Sequence, residues 1–222
     1  MLFSAIHNFN GATMRKPKFI VIEGLEGAGK STALETIKVY LAERGVDSIV
    51  TCREPGGTLM GEAIRSIVKD QTIEENVDSR TELLLMYASR IQLVENIIKP
   101  AIDHGSWVIC DRFYYSTFAY QGGGREIDMS IIKNIHDASI GEFKPDITIY
   151  MDIPPDQGLA RAAGRGELDR FEQEKIDFFE RTRKMYLSLV DESDEMLKID
   201  ASLTLPEVKK QILGVLDNGE VV

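Results

Sequence analysis

The sequence predicts an α/β fold with about five parallel strands in one sheet, flanked by helices. Three observations predict it. Strand and helix signals alternate along the whole chain. An apolar, β-branched run, Phe19-Ile20-Val21-Ile22, leads through a glycine-rich turn into a helical pattern. Four segments rich in reactive side chains, 23–31, 53–58, 111–125 and 200–202, each follow a predicted strand. In open α/β sheets, ligands bind outside the carboxyl ends of the strands.

Strands are expected near 18–23, 47–52, 106–111, 146–152 and 196–200. Helices are expected at about 30–44, 61–69, 80–103, 128–139, 157–163, 172–190 and 205–217. Gly45 after Glu43-Arg44 marks a helix stop. Pro100 predicts a kink near the end of the long 80–103 helix. The glycines at 56–57, 122–124 and 164–166 read as loops. A single domain is expected over 16–222, with residues 1–15 outside it as a disordered extension or an upstream start.

The chemistry centres on FIVIEGLEGAGKST, residues 19–32. From Gly24 to Ser31 the spacing matches the phosphate-binding loop G-x-x-x-x-G-K-[ST]. Its glycines let backbone N–H groups approach a polyphosphate, and the following helix adds unpaired donors and a dipole. Lys30 supplies a point charge for the outer phosphates, and Ser31 is a Mg²⁺ ligand candidate. The run Trp107 to Asp111 is an apolar strand ending in a carboxylate, the arrangement that holds a metal's water shell. Glu23, ending the first strand, is a second candidate for that shell. Arg112 comes next, able to fork onto a phosphate. Arg161, Arg165 and Arg170 lie around Gly164 and Gly166, which predicts a mobile arginine segment suited to neutralising a phosphoryl group in flight. No general base stands out, which suits an acceptor whose oxygen is already anionic.

Bulk properties narrow the partners. The chain has 222 residues and a net charge of −10, which argues against a nucleic-acid or anionic-membrane binder. No apolar run is long enough to span a bilayer. Cys52 and Cys110 sit in apolar strand-like runs and read as structural thiols in a reducing compartment. The three histidines are scattered, without zinc spacing.

With these segments in hand, the chain resembles the thymidylate kinase family, in its bacterial form. The resemblance rests on IEGLEGAGKST, REPGG, the helix ending Tyr87-Ala88-Ser89-Arg90, DRFYYSTFAYQGGGR, PDITIYMD and RGELDRFEQE, spanning about residues 18–202. It implies a P-loop NTPase fold with a lid at about 156–172, and transfer of the ATP γ-phosphoryl group to dTMP, giving dTDP and ADP. It also implies Mg²⁺ dependence, a cytoplasmic setting and a homodimer. By the resemblance, Gly24, Leu25, Glu26, Gly27, Ala28, Gly29, Lys30, Ser31 and Thr32 cradle ATP. Arg112 holds the dTMP phosphate near the γ-phosphate. Arg53, Arg65 and Arg90, with Glu54 and Pro55, line the monophosphate and base pocket. Thr117 and Gln121 contact thymine, and Tyr120 crowds the sugar. Members often carry a phenylalanine over thymine where this chain has Met86, followed by Tyr87. The phosphate loop holds no arginine, so the lid must supply one, with Arg165 first and Arg161 and Arg170 behind it. Rivals stand beside this reading. The nearest is another nucleoside monophosphate kinase, or a deoxynucleoside kinase, on the same fold; the nucleoside kinase would need Glu54 as a base for a hydroxyl acceptor. A nucleotide switch would want a guanine-specificity motif that the chain lacks.

Overall fold

A computed structural model describes residues 18–164 and 169–218. Five strands form one parallel sheet: β1 (Phe19–Gly24), β2 (Ile49–Arg53), β3 (Trp107–Asp111), β4 (Ile147–Asp152) and β5 (Met196–Asp200). Their spatial order is β2-β3-β1-β4-β5. β1 is buried along its whole length, as an unbroken apolar run between two neighbours must be. The register pairs Ile22 with Asp111 and Arg53 with Asp111, so the reactive ends of β1, β2 and β3 finish side by side. The same register sets Cys52 beside Cys110, both as free thiols.

Helices cover the sheet: α1 (Lys30–Glu43), α2 (Leu59–Lys69), α3 (Ser79–Leu93), α4 (Lys99–Asp103), α5 (Tyr114–Thr117), α6 (Met129–Ser139), α7 (Pro155–Ala163), α8 (Ile176–Glu192) and α9 (Leu205–Asn218). Side-chain caps set several starts. Thr58 Oγ1 accepts from Gly61 N at 3.0 Å, which moves α2 two residues ahead of expectation. Asp78 caps α3 and Asp128 caps α6 in the same way. α8 begins later than expected, because the Asp169 carboxylate takes the N–H groups of Phe171 and Glu172 into a turn. No helix among the described residues is long and apolar enough to cross a membrane.

Two expectations are corrected. The 80–103 helix is interrupted: its winding loosens into a π-wound stretch, Val94–Ile98, and Pro100 falls in the first turn of α4, where its missing N–H costs little. More consequentially, Gly122-Gly123-Gly124 is no loop. It ends a π-wound stretch, Phe118–Gly124, that continues α5. These glycines are packing residues. A Cβ on Gly123 would stand 2.7 Å from Met185 Cβ, and one on Gly124 would stand 2.4 Å from Phe178 Cε2. Their bareness lets the stretch lie directly against α8. The predicted extension 1–15 falls outside the described residues.

Candidate active site

The site is built at the carboxyl edge of β1, β2 and β3. The loop after β1 turns on Gly27, at φ +72°, where a Cβ would stand 2.0 Å from the carbonyl oxygen of Gly158 on α7. Loop and helix therefore touch backbone to backbone. Leu25 and Ala28 point into the core, so only their main chain is free to serve a ligand. Lys30 folds back over the loop, its Nζ donating to Gly24 O at 3.2 Å and Leu25 O at 3.0 Å. Burial, then the nearby Arg112 charge, lowers its pKa to about 8. Ser31 and Thr32 open α1 beside it.

Arg112 takes a left-handed backbone, φ +70°, directly after β3, with its N–H bonded to Ile22 O. Its guanidinium donates to Glu26 Oε1 at 2.6 Å and to Ser116 Oγ at 3.3 Å, and it stacks over Tyr120. Burial works against its charge, but Tyr120 and Glu26 hold it protonated more firmly than usual. Glu26 also accepts from Tyr120 OH at 2.7 Å. Burial would raise its pKa, yet Arg112 and Lys30 together pull it below the usual carboxylate range. The side chain of this loop residue thus faces Arg112 and Tyr120.

Asp111 and Glu23, both metal candidates, fare differently. Asp111 Oδ1 is buried and has no hydrogen-bond partner, next to the positive field of Lys30. Glu23 is fully buried and accepts from Phe113 N, Ser116 N, Ser116 Oγ and Tyr186 OH at 2.6–3.1 Å. Burial raises its pKa. Four protein donors occupy its oxygens, so Glu23 fixes the chain that follows Arg112, whereas Asp111 Oδ1 stays without a protein partner.

A cleft opens from the loop towards α3. It is lined by Glu26, Lys30, Asp111, Arg112 and Ser116 at one end, and by Met86, Arg90, Glu54, Thr117 and Gln121 further in. Arg53, Pro55, Arg65 and Tyr120 also line it. Arg90 is buried, with Nε 2.8 Å from Glu54 Oε2 and Nη2 bonded to Thr117 Oγ1 at 2.9 Å and Phe113 O at 3.2 Å. Its Nη1 and the Oε1 of Glu54 have no partner, although both are buried. Burial pushes the Glu54 carboxyl up to about 7, against the pull of Arg90. Arg65 donates to Pro55 O at 2.9 Å, and Arg53 is paired with Glu62. Met86 faces the cleft, whereas Tyr87 is buried behind it with its hydroxyl 3.3 Å from His136 Nδ1.

The lid arginines separate. Arg165 lies outside the described residues. Arg161 is tied to the carbonyls of Ala201 and Ser202, after β5. Arg170 donates to Glu82 Oε2 at 2.6 Å and to Val68 O at 2.8 Å. Neither is among the residues that line the cleft. Sequence reasoning passed over Lys69, Ser116, Asp169, Phe171 and Glu172, which do line it. Lys69 and Asp169 form an ion pair that closes one wall. Lys69 lies outside every quoted motif, and its pairing with Asp169 joins residues 100 apart in sequence that meet only through the fold.

A phosphate loop with its lysine, an orphaned strand-end carboxylate and a facing arginine-lined acceptor cleft define a P-loop phosphotransferase. Comparison with known proteins narrows this. The family model for thymidylate kinase matches residues 22–212. The chain is 52% identical over 204 residues to thymidylate kinases of Vibrio parahaemolyticus and Vibrio vulnificus, covering 92% of this chain and 97% and 96% of those proteins. The crystal structure of thymidylate kinase from Ehrlichia chaffeensis resembles it with a TM-score of 0.72 at 32% identity, over 92% of this chain and 99% of the other. The chain belongs to the thymidylate kinase family.

Proposed function

We propose that this chain transfers the γ-phosphoryl group of ATP to dTMP, giving ADP and dTDP. One observation carries the reading: Lys30 and Arg112 line the cleft beside the phosphate loop, and the same cleft is lined by Met86 with Arg90 and Glu54, whose Nη1 and Oε1 are buried without protein partners. A nucleoside monophosphate has that polarity, with an anionic phosphate at one end and a flat ring with polar edges at the other. Buried polar atoms without partners are costly unless a ligand satisfies them.

Lys30 neutralises the outer phosphates of ATP, and loop N–H groups between Gly24 and Thr32 hold the chain of phosphates. Arg112 holds the acceptor phosphate in line with the γ-phosphorus, releasing Glu26 in part as it does so. The acceptor oxygen is anionic at neutral pH, so no side chain needs to remove a proton. Asp111, through its orphaned Oδ1, and Ser31 would hold Mg²⁺. The ion would supply charge neutralisation across the β- and γ-phosphates. Arg165 remains the lid arginine proposed for the transferring group. The setting is cytoplasmic, which the two free thiols suit. The assembly is a homodimer, supported by exposed Leu84 on α3 and Ile131 on α6, two helices that pack on each other.

The test is ADP release with ATP and Mg²⁺ against dTMP, dUMP, dCMP, UMP, AMP, GMP and thymidine. Preference for dTMP with thymidine inert is expected. Turnover of thymidine would refute the base-free mechanism, and silence with every acceptor would refute the assignment.

A further inference from the structure

Glu82, Met86 and Arg90 lie four residues apart on α3 and so share one face of the helix. The latter two line the cleft, while Glu82 is fully buried behind it. A bare buried carboxylate would be prohibitively costly, and this one is compensated from three places. Its Oε1 accepts from Gln121 Nε2 at 2.7 Å and from Arg125 Nε at 3.2 Å. Its Oε2 accepts from Arg125 Nη2 at 3.1 Å and Arg170 Nη2 at 2.6 Å. Arg125 follows the π-wound stretch, and Arg170 precedes α8, so one carboxylate gathers three elements.

The consequence for the cleft runs through Gln121. An amide side chain has one donor end and one acceptor end, and which end faces which way is fixed by its partners. A carboxylate between two guanidiniums offers only acceptors. The Gln121 NH₂ group must therefore face Glu82, and the amide oxygen is the end left for the cleft that Gln121 lines. Arg90 lines the same cleft and keeps a buried donor, Nη1, without a protein partner. Arg90 and Gln121 are linked by Thr117, which accepts from Arg90 and stands four residues before Gln121.

We infer that Glu82 is a positioning residue that sets the polarity of the base end of the cleft. It orients Gln121 so that the site offers an acceptor for a ring N–H and, from Arg90, a donor for a ring carbonyl. This rests on the reading that the acceptor is a pyrimidine monophosphate. A thymine or uracil ring presents N3–H beside a C4 carbonyl and is accepted. Cytosine presents a bare N3 beside an amino group and meets like against like on both atoms.

The test compares kcat/KM for dTMP, dUMP and dCMP in the wild type and in Glu82→Gln. A glutamine at this position can donate as well as accept, so Gln121 is free to turn over. The dTMP:dCMP ratio is expected to fall about tenfold or more. The dTMP:dUMP ratio is expected to hold, because both rings share the edge being read. An equal loss on all three substrates would mean that Glu82 only supports packing, and would overturn the inference. Should Glu82→Gln fail to fold, Gln121→Leu leaves the Glu82 ion pairs with Arg125 and Arg170 in place. It is expected to show the same drop in the dTMP:dCMP ratio, and an unchanged ratio would overturn the inference. The wild-type measurements test the underlying assignment separately: a wild type active on dTMP with an insensitive ratio in the variants fails the inference alone, and a wild type inactive on dTMP fails both.

Discussion

Replacing Arg90 with methionine should destabilise the protein by an amount that grows with pH. The substitution roughly keeps the volume of a buried side chain but removes the partner of Glu54 and the donors to Phe113 O and Thr117 Oγ1. At pH 6, where the Glu54 carboxyl is largely neutral, the loss comes from the unmade hydrogen bonds and the lost stacking on Tyr87, about 2–3 kcal/mol. The sign of the pH dependence follows from the raised carboxyl pKa. In the wild type, Glu54 sits at about 7 in the folded state against an ordinary 4.5. Its neutral form therefore supports the fold fully below 4.5, and that support is lost as pH rises through 7. Removing Arg90 takes away the group that lowers this value, so in the variant the loss continues above 7. Each further pH unit adds about 1.4 kcal/mol until the variant's own carboxyl ionises. Between pH 7 and 8.5 the gap should widen by about 2 kcal/mol. Lys30 also titrates in this range, but it does so in both proteins and cancels in the difference. Urea denaturation of both proteins at pH 6, 7, 7.75 and 8.5 measures the gap. A gap that stays constant over this range would refute the claim that Arg90 is what keeps Glu54 near neutrality.

Gly27→Ala should abolish ATP binding by calorimetry while leaving a folded core, because the new methyl would drive the loop away from Gly158 and strain a positive φ. Gly124→Ala should cost about 1–3 kcal/mol in thermal or urea unfolding, since its Cβ would meet the Phe178 ring and Thr182 Oγ1. ATP affinity should weaken as pH rises through about 8, where ligand-free Lys30 loses its proton, and Lys30→Met should bind weakly with a flat profile over the same range. Asp111→Asn should raise the Mg²⁺ concentration needed for half-maximal activity without changing the melting temperature by more than a degree or so, because Oδ1 has no protein partner to lose.

The sequence by itself determined the sheet and the phosphate loop. Strand signals are local: an apolar, β-branched run such as Phe19–Ile22 needs two buried faces, and all five strands lie within two residues of expectation. The phosphate loop is local too, since its glycines, lysine and hydroxyl act within one turn. Part of the cleft lining was legible: Arg53-Glu54 and Asp111-Arg112 because they stand at strand ends, and Thr117, Tyr120 and Gln121 only through the family resemblance.

Tertiary structure alone decided what each charge does. Gly122 to Gly124 look like a loop in sequence, because glycine is a poor helix former, but α8 needs bare backbone to pack against and overrides that preference. Arg161, Arg165 and Arg170 lie close together along the chain, yet partners far away in sequence, the carbonyls after β5 and the buried Glu82, claim the first and the last. Glu23 and Asp111 both end strands, and only the donors brought by Phe113, Ser116 and Tyr186 show that one is satisfied while the other is orphaned. Glu82 was unreadable as a functional residue: a glutamate in the first turn of a helix is ordinary. Its role comes from being taken out of water, where a carboxylate must find its partners and in doing so dictates how they are oriented.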